Sequence, residues 1–285
     1  GTLGSLIPPS ILMIVYGVFA ETSVTKVFVG GVTIGLLTAV SYSIVVLLTC
    51  WRRPDIAPPR PLDVGDVDTL KAVLNIWPVL LLMVVVFGGL FSGIFTATEA
   101  GAVGALGSIV ISFATRRLTF GIFRQSMIEA LMTAASLFII GVGAAMFTRF
   151  LGLSGLTNFI SSAVSGSEMS YFHLMLIVVV LYLVLGMFME PFGALLVTLP
   201  VLLPIFRAEG IDLIWFGVLV VKLLEIGMIT PPVGLNVFVI RNVASEYVSV
   251  LQIFKGVIPF LIADIVVVAI CIAFPALILF LPGFL

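Results

Sequence analysis

Apolar stretches of membrane-spanning length follow one another along almost the whole chain, and no other feature constrains its fold as strongly. A spanning helix takes about 20 predominantly apolar residues. On that scale the candidate segments are 6–20, 27–50, 76–92, 97–115, 127–150, 171–188, 192–206, 213–229, 232–244 and 257–281. Only 9% of the 285 residues are charged and 61% are hydrophobic, whereas a soluble domain carries roughly a quarter charged residues. So little charge cannot keep a globule of this size in water, which excludes a soluble enzyme, a nucleic-acid binder and a disordered chain. The expected solvent is the lipid bilayer and the expected fold is all-α integral membrane. A net charge of −1 offers no polybasic field to nucleic acid.

Several segments are too short to span alone, and Pro pairs interrupt them at Pro8-Pro9 and Pro231-Pro232. Lipid leaves no backbone group unsatisfied, so a broken helix survives only where it lines a cavity or packs on protein. The flanks of the two breaks match. Gly4-Ser5-Leu6-Ile7-Pro8-Pro9 and Gly227-Met228-Ile229-Thr230-Pro231-Pro232 both read Gly, any residue, Leu or Ile, one residue, Pro, Pro. Pro pairs also kink ordinary helices, so chance is the rival reading.

Basic residues orient the chain by the positive-inside rule. The loop 51–75 holds Arg52, Arg53, Arg60 and Lys71, and a second basic turn holds Arg116, Arg117 and Arg124. Both are expected on the cytoplasmic side, while 152–170, which has Glu168 but no Lys or Arg, suits the far side. Segments 171–188 and 192–206 then form a re-entrant hairpin with Glu190 at its tip; two ordinary short crossings are the alternative. Segment 1–20 runs outward and the broken segment 213–244 runs inward, so the two breaks are expected to be antiparallel. Short, Pro-interrupted segments in matching positions of two inverted halves point to the binding site of a secondary transporter.

Each Pro lacks an N–H and opens the preceding turn, releasing carbonyl oxygens. Released carbonyls with hydroxyl or amide oxygens make a hard-oxygen cage suited to Na⁺. Gly227, Thr230, Gly234 and Asn236 supply such oxygens at the second break, and Gly4, Ser5, Pro8 and Ser10 lie at the first. The half-helix N-termini beyond the breaks favour an anionic substrate group.

A charge at mid-membrane costs a few kcal/mol on insertion scales, so each needs a reason. Glu190 could coordinate a cation, gate the site or relay a proton, or serve as a tip residue bonded to the neighbouring broken helix. Lys222 and Glu225 stand three apart on one helix face and are expected to pair, with a substrate-carboxylate role for Lys222 second. Glu99, after Thr96 and Thr98, reads as part of a helix cap. Glu129 and Arg149 snorkel from one helix, Arg241 sits near an inner helix end, and Asp264 has no role legible in its apolar surroundings. Cys50 and Cys271 read as small hydrophobes, and the single His173 cannot make a zinc centre. No Ser/His/Asp set, GxSxG, HExxH, CxxC or phosphate loop appears, so an enzyme is not expected.

The stretches Gly1–Ser10 and Leu224–Asn236, the latter carrying Thr230-Pro231-Pro232-Val233-Gly234-Leu235-Asn236, resemble the large membrane subunit of TRAP (tripartite ATP-independent periplasmic) transporters. Phe95-Thr96-Ala97-Thr98-Glu99-Ala100 resembles another stretch of that subunit. The resemblance implies an inverted-repeat, elevator-type importer of organic acid anions, of the C4-dicarboxylate or sialic acid kind, in a bacterial inner membrane. It implies coupling to a Na⁺ gradient, a small membrane subunit and a periplasmic substrate-binding protein. It also implies a further half, with a first hairpin, ahead of this sequence. The expected Na⁺ set is Gly4, Ser5, Pro8, Gly227, Thr230, Gly234 and Asn236, and the expected substrate set is Glu190, Ser10 and Lys222. The expected organisation is a half-helix at 1–20, connecting helices over 21–126, and a second repeat over 127–285. That repeat holds hairpin 171–206 and broken helix 213–244. Rival readings are a passive channel, a membrane-embedded enzyme and a structural scaffold.

Overall fold

The computed structural model describes residues 3–54, 76–165, 170–244 and 248–285, and every regular element among them is helical. Most of the loop 51–75, Glu168, and Gly1-Thr2 of the first motif lie outside the described residues. The helices are α1 (Leu3–Leu6), α2 (Ile11–Phe19), α3 (Val24–Arg52), α4 (Trp77–Phe91), α5 (Ala97–Ala114), α6 (Phe120–Ser154) and α7 (Leu156–Ser165). They continue as α8 (Tyr171–Phe188), α9 (Pro191–Ala208), α10 (Leu213–Gly227), α11 (Leu235–Ala244), α12 (Val250–Ala273) and α13 (Ala276–Leu279). Six of them, α3, α5, α6, α8, α9 and α12, are long and apolar enough to cross a membrane. This is an all-α integral membrane architecture.

Local chemistry sets the ends of the elements. Thr96 caps α5 in a capping box with Glu99, and Ser249 does the same for α12 with Gln252. Asp212 caps α10 by accepting from the N–H groups of Ile214 and Trp215. Segment 152–170 contains a helix of its own, α7, and α12 starts at Val250, earlier than its apolar run suggests.

The described chain divides into two units. One is Arg53–Ser136, in which Phe95 packs on Gly89 and its N–H donates to the Gly89 carbonyl at 3.0 Å. The other joins residues 1–52 to Leu137–Leu285 and contains both Pro-Pro breaks.

Within that second unit, long-range contacts give the direction of several helices relative to α10. Ser5 meets Glu225, whereas the Tyr16 hydroxyl donates to the Leu213 carbonyl at 2.6 Å. The chain therefore travels from α1 to α2 as α10 is read backwards. The two broken segments run antiparallel, as the topology read from the basic loops predicts. α8 runs with α10, from Tyr171 against Trp215 to Gly186 against Gly227. α9 returns, ending where Phe206 stacks on Phe216 and Arg207 donates to the Ala20 carbonyl. The hairpin thus opens at the beginning of α10, and its tip reaches the second break. α12 runs antiparallel, with Cys271, Asp264 and Phe254 facing Trp215, Lys222 and Gly234 in turn. α11 therefore continues past the hairpin tip.

Apolar packing holds this frame. α10 is buried from Trp215 to Gly227, and Phe192 and Leu196 of α9 pack with Ala144 of α6 and with Leu12, Val15 and Phe19 of α2. Burying such side chains contributes roughly 1.5–3 kcal/mol each. Inside the hairpin, Tyr182 and Thr198 share a buried hydrogen bond of 2.7 Å.

Candidate functional site

The second break begins where Pro231 and Pro232 cannot donate to the carbonyls four residues earlier, Gly227 and Met228. Both carbonyls find new donors. Thr230 N–H reaches Gly227 O at 3.1 Å, and Asn236 N–H crosses the break to Met228 O at 3.0 Å. Each carbonyl keeps a second lone pair, so these bonds shape the loop without removing its oxygens as ligands. The Thr230 hydroxyl donates to Ile226 O at 2.7 Å, which leaves its oxygen an acceptor. Gly234 turns the chain at φ 59°, in the left-handed region that Gly adopts without strain. It directs the N-terminus of α11, with Asn236 half-buried in its first turn, back toward the break.

The hairpin tip is held against this break by backbone contact. A Cβ on Gly186 would lie 2.9 Å from Gly227 Cα, and one on Gly227 would lie 2.5 Å from Gly186 Cα. Only two glycines allow α8 and α10 to approach so closely.

The first break is built the same way, since Pro8 and Pro9 cannot donate to the Gly4 and Ser5 carbonyls. Space around Gly4 is open, Pro8 is buried, and the peptide bonds Pro8-Pro9 and Pro231-Pro232 are both cis. The Ser5 hydroxyl donates to Glu225 Oε1 at 2.9 Å, tying the first break to the helix that carries the second.

Of the three expected substrate residues, Ser10 and Lys222 are buried and Glu190 is exposed. Ser10 is 2% exposed, and its hydroxyl accepts from Met13 N–H at 3.4 Å, so it caps α2 rather than facing a cavity. Lys222 is fully buried. Its ammonium lies 2.7 Å from Asp264 Oδ1 and 3.5 Å from Glu225 Oε2, so it is committed to carboxylates of its own chain and is not offered to a substrate. The expected pairing with Glu225 is present but is the longer of the two contacts. Asp264, without a legible role in sequence, is the main partner, and Tyr42 completes it by donating to Oδ2 at 2.7 Å.

Glu190 alone of the three stays exposed at the tip. Its carboxylate accepts from Gly193 N–H at 3.1 Å, capping its own helix α9 rather than bonding to the broken helix beside it. An acidic cap with Pro191 at the first helical position is a helix-start signal visible in sequence. Glu99 is the capping-box partner of Thr96, as its position suggests. Among the described residues, no group of three or more His, Cys, Asp or Glu is arranged to hold a metal ion.

Over residues 1–277 the sequence matches the family described as the tripartite ATP-independent periplasmic transporter, DctM component. The chain belongs to that family. The TRAP chain is 36% identical over 286 residues to the C4-dicarboxylate TRAP transporter large permease protein of Pseudomonas aeruginosa, covering 100% of itself and 66% of that protein. It is 30% identical to the sialic acid TRAP transporter large permease protein of Vibrio cholerae, covering 98% of itself and 65% of that protein. It is 33% identical to the isethionate TRAP transporter permease protein of Oleidesulfovibrio alaskensis, covering 99% of itself and 44% of that protein. The TRAP chain therefore spans between 44% and 66% of the length of these relatives. The relatives are named as transporter permeases, in keeping with the absence of catalytic motifs.

Proposed function

We propose that this chain forms part of an elevator-type TRAP permease in a bacterial inner membrane, with residues 127–285 as its second repeat. It imports an organic acid anion by secondary transport, with Na⁺ as the coupling ion. The anion is delivered by a periplasmic substrate-binding protein, and a small membrane subunit, separate or fused, completes the transporter. The observation that carries the reading is the antiparallel packing of two helices broken by matching motifs, with the tip of a hairpin seated on one break. Such an arrangement gathers main-chain carbonyls and hydroxyls where lipid tolerates irregular backbone.

In this reading Gly227, Thr230, Gly234 and Asn236 contribute oxygens to a Na⁺ at the second break, and Gly4, Ser5 and Pro8 do so at the first. Their uncharged oxygens suit a hard monovalent cation. Glu190 acts at the mouth of the substrate cavity, where its charge repels an anion that arrives without its cations. The substrate class follows the relatives' names: C4-dicarboxylates, sialic acid and isethionate are all organic anions.

The test is uptake by the complete transporter in proteoliposomes, supplied with its binding protein and each of these anions. Uptake that rises with an inward Na⁺ gradient and stops when the gradient is collapsed supports the reading. Uptake that continues without it indicates a passive channel instead.

A further inference from the structure

A buried, charge-unbalanced cluster joins the first break to the rest of the unit. Lys222, Glu225 and Asp264 are 0%, 2% and 1% exposed, and Tyr42 and Ser5 close the cluster at its two ends. Two carboxylates face one ammonium, so the formal charge is +1 − 2 = −1. Asp264 is matched on both oxygens, by Lys222 and by Tyr42. The uncompensated share falls on Glu225, whose Oε2 is buried without a hydrogen-bond partner and has only the 3.5 Å contact with Lys222. Burying a charge without a counter-charge is costly, and a buried polar atom left unsatisfied calls for an explanation such as a bound ion.

We infer that Glu225 supplies the negative charge that holds the coupling cation at the first break, acting through Ser5. The Ser5 hydroxyl donates to Glu225 Oε1, and a hydroxyl oxygen that donates its proton still has lone pairs with which to accept. A monovalent cation on that oxygen adds the +1 that the cluster lacks. Glu225 is thus a positioning residue, and it lies on the helix that leads into the second break, so filling one cage is felt by the element that shapes the other. The inference rests on the Na⁺ reading above and assigns that site its charge.

The experiment titrates Na⁺ against the melting midpoint of the purified complete transporter, with uptake measured in parallel. Glu225→Gln keeps an acceptor for Ser5 and removes the charge. It is expected to raise half-saturating Na⁺ by roughly tenfold or more, the usual effect of losing a group behind a metal ligand. In Na⁺-free buffer this variant melts no lower than the parent, because Lys222 and Asp264 now balance. A purely structural role gives the opposite pair of results, a lower Na⁺-free midpoint with unchanged Na⁺ dependence, and that overturns the inference. Asp264→Asn removes the same formal charge one contact further away, and a smaller rise in half-saturating Na⁺ is expected. It serves if the first variant does not fold, and unchanged Na⁺ dependence there overturns the inference as well. A parent transporter whose midpoint ignores Na⁺ overturns the cage reading itself. A Na⁺-responsive parent with unresponsive substitutions overturns only the role of Glu225.

Discussion

Replacing Gly186 or Gly227 by Ala puts a methyl group where two backbones already touch. The new Cβ would stand 2.9 Å from Gly227 Cα in the first case, and 2.5 Å and 2.7 Å from Gly186 Cα and carbonyl carbon in the second. Carbon atoms settle at about 3.5–4.0 Å, so α8 and α10 must part by roughly 1 Å. No flexible side chain stands there to give way. Overpacking of this kind costs about 1–3 kcal/mol. Against it stands the roughly 0.5–1 kcal/mol that Ala gains over Gly inside a helix. The balance is a loss of about 0–2.5 kcal/mol, centred near 1. Gly256, exposed in α12 with nothing within 4 Å of its added Cβ, provides the control with the helix gain alone. The melting midpoint of the detergent-purified transporter should fall for Gly186→Ala and Gly227→Ala and hold or rise for Gly256→Ala. Uptake should fall further than stability does, because the hairpin tip is pushed off the break. If Gly186→Ala melts with Gly256→Ala and transports at the parental rate, the close seating of the tip is refuted.

Lys222→Met leaves the Glu225 and Asp264 carboxylates buried without their cation and should destabilise by about 3–5 kcal/mol, read as loss of monodisperse protein on size exclusion. Tyr42→Phe removes one hydrogen bond to the Asp264 carboxylate and should lower stability by about 1.5–3 kcal/mol, measured as a lower melting midpoint. Thr96→Ala removes the cap of α5, at about 1 kcal/mol, and should leave the Na⁺ dependence of uptake untouched. Glu190→Gln retains an oxygen for Gly193 N–H, so the melting midpoint should hold while uptake falls; parental uptake would reduce Glu190 to a helix cap.

The architecture was legible because lipid makes apolar length and backbone interruption unusually informative. Segment 171–188 coincides with α8, and the two Pro pairs do break the chain where their flanks match. The antiparallel relation of the breaks followed from counting crossings between basic loops, and Ser5–Glu225 with Tyr16–Leu213 bears it out. The polar interior was less legible. Asp264 and Lys222 lie 42 residues apart, and no local pattern pairs them, although two opposite charges in apolar helices are a signal that each needs the other. Ser10 and Glu190 each stand directly before a helical run, the latter followed by Pro191, and each caps that helix. The Gly186–Gly227 contact carries no periodic signature, since one glycine fits any helix pattern and only the fold brings the two together.

The claim at the centre of the account is that the two helix interruptions hold sodium. Equilibrium binding of radioactive Na⁺ to the purified complete transporter tests it without reference to substrate or partner protein. Saturable binding is expected, weakened by Asn236→Ala and Thr230→Val at one interruption and, independently, by Ser5→Ala at the other. Binding that is absent from the parent protein, or unaltered in all of these variants, contradicts it.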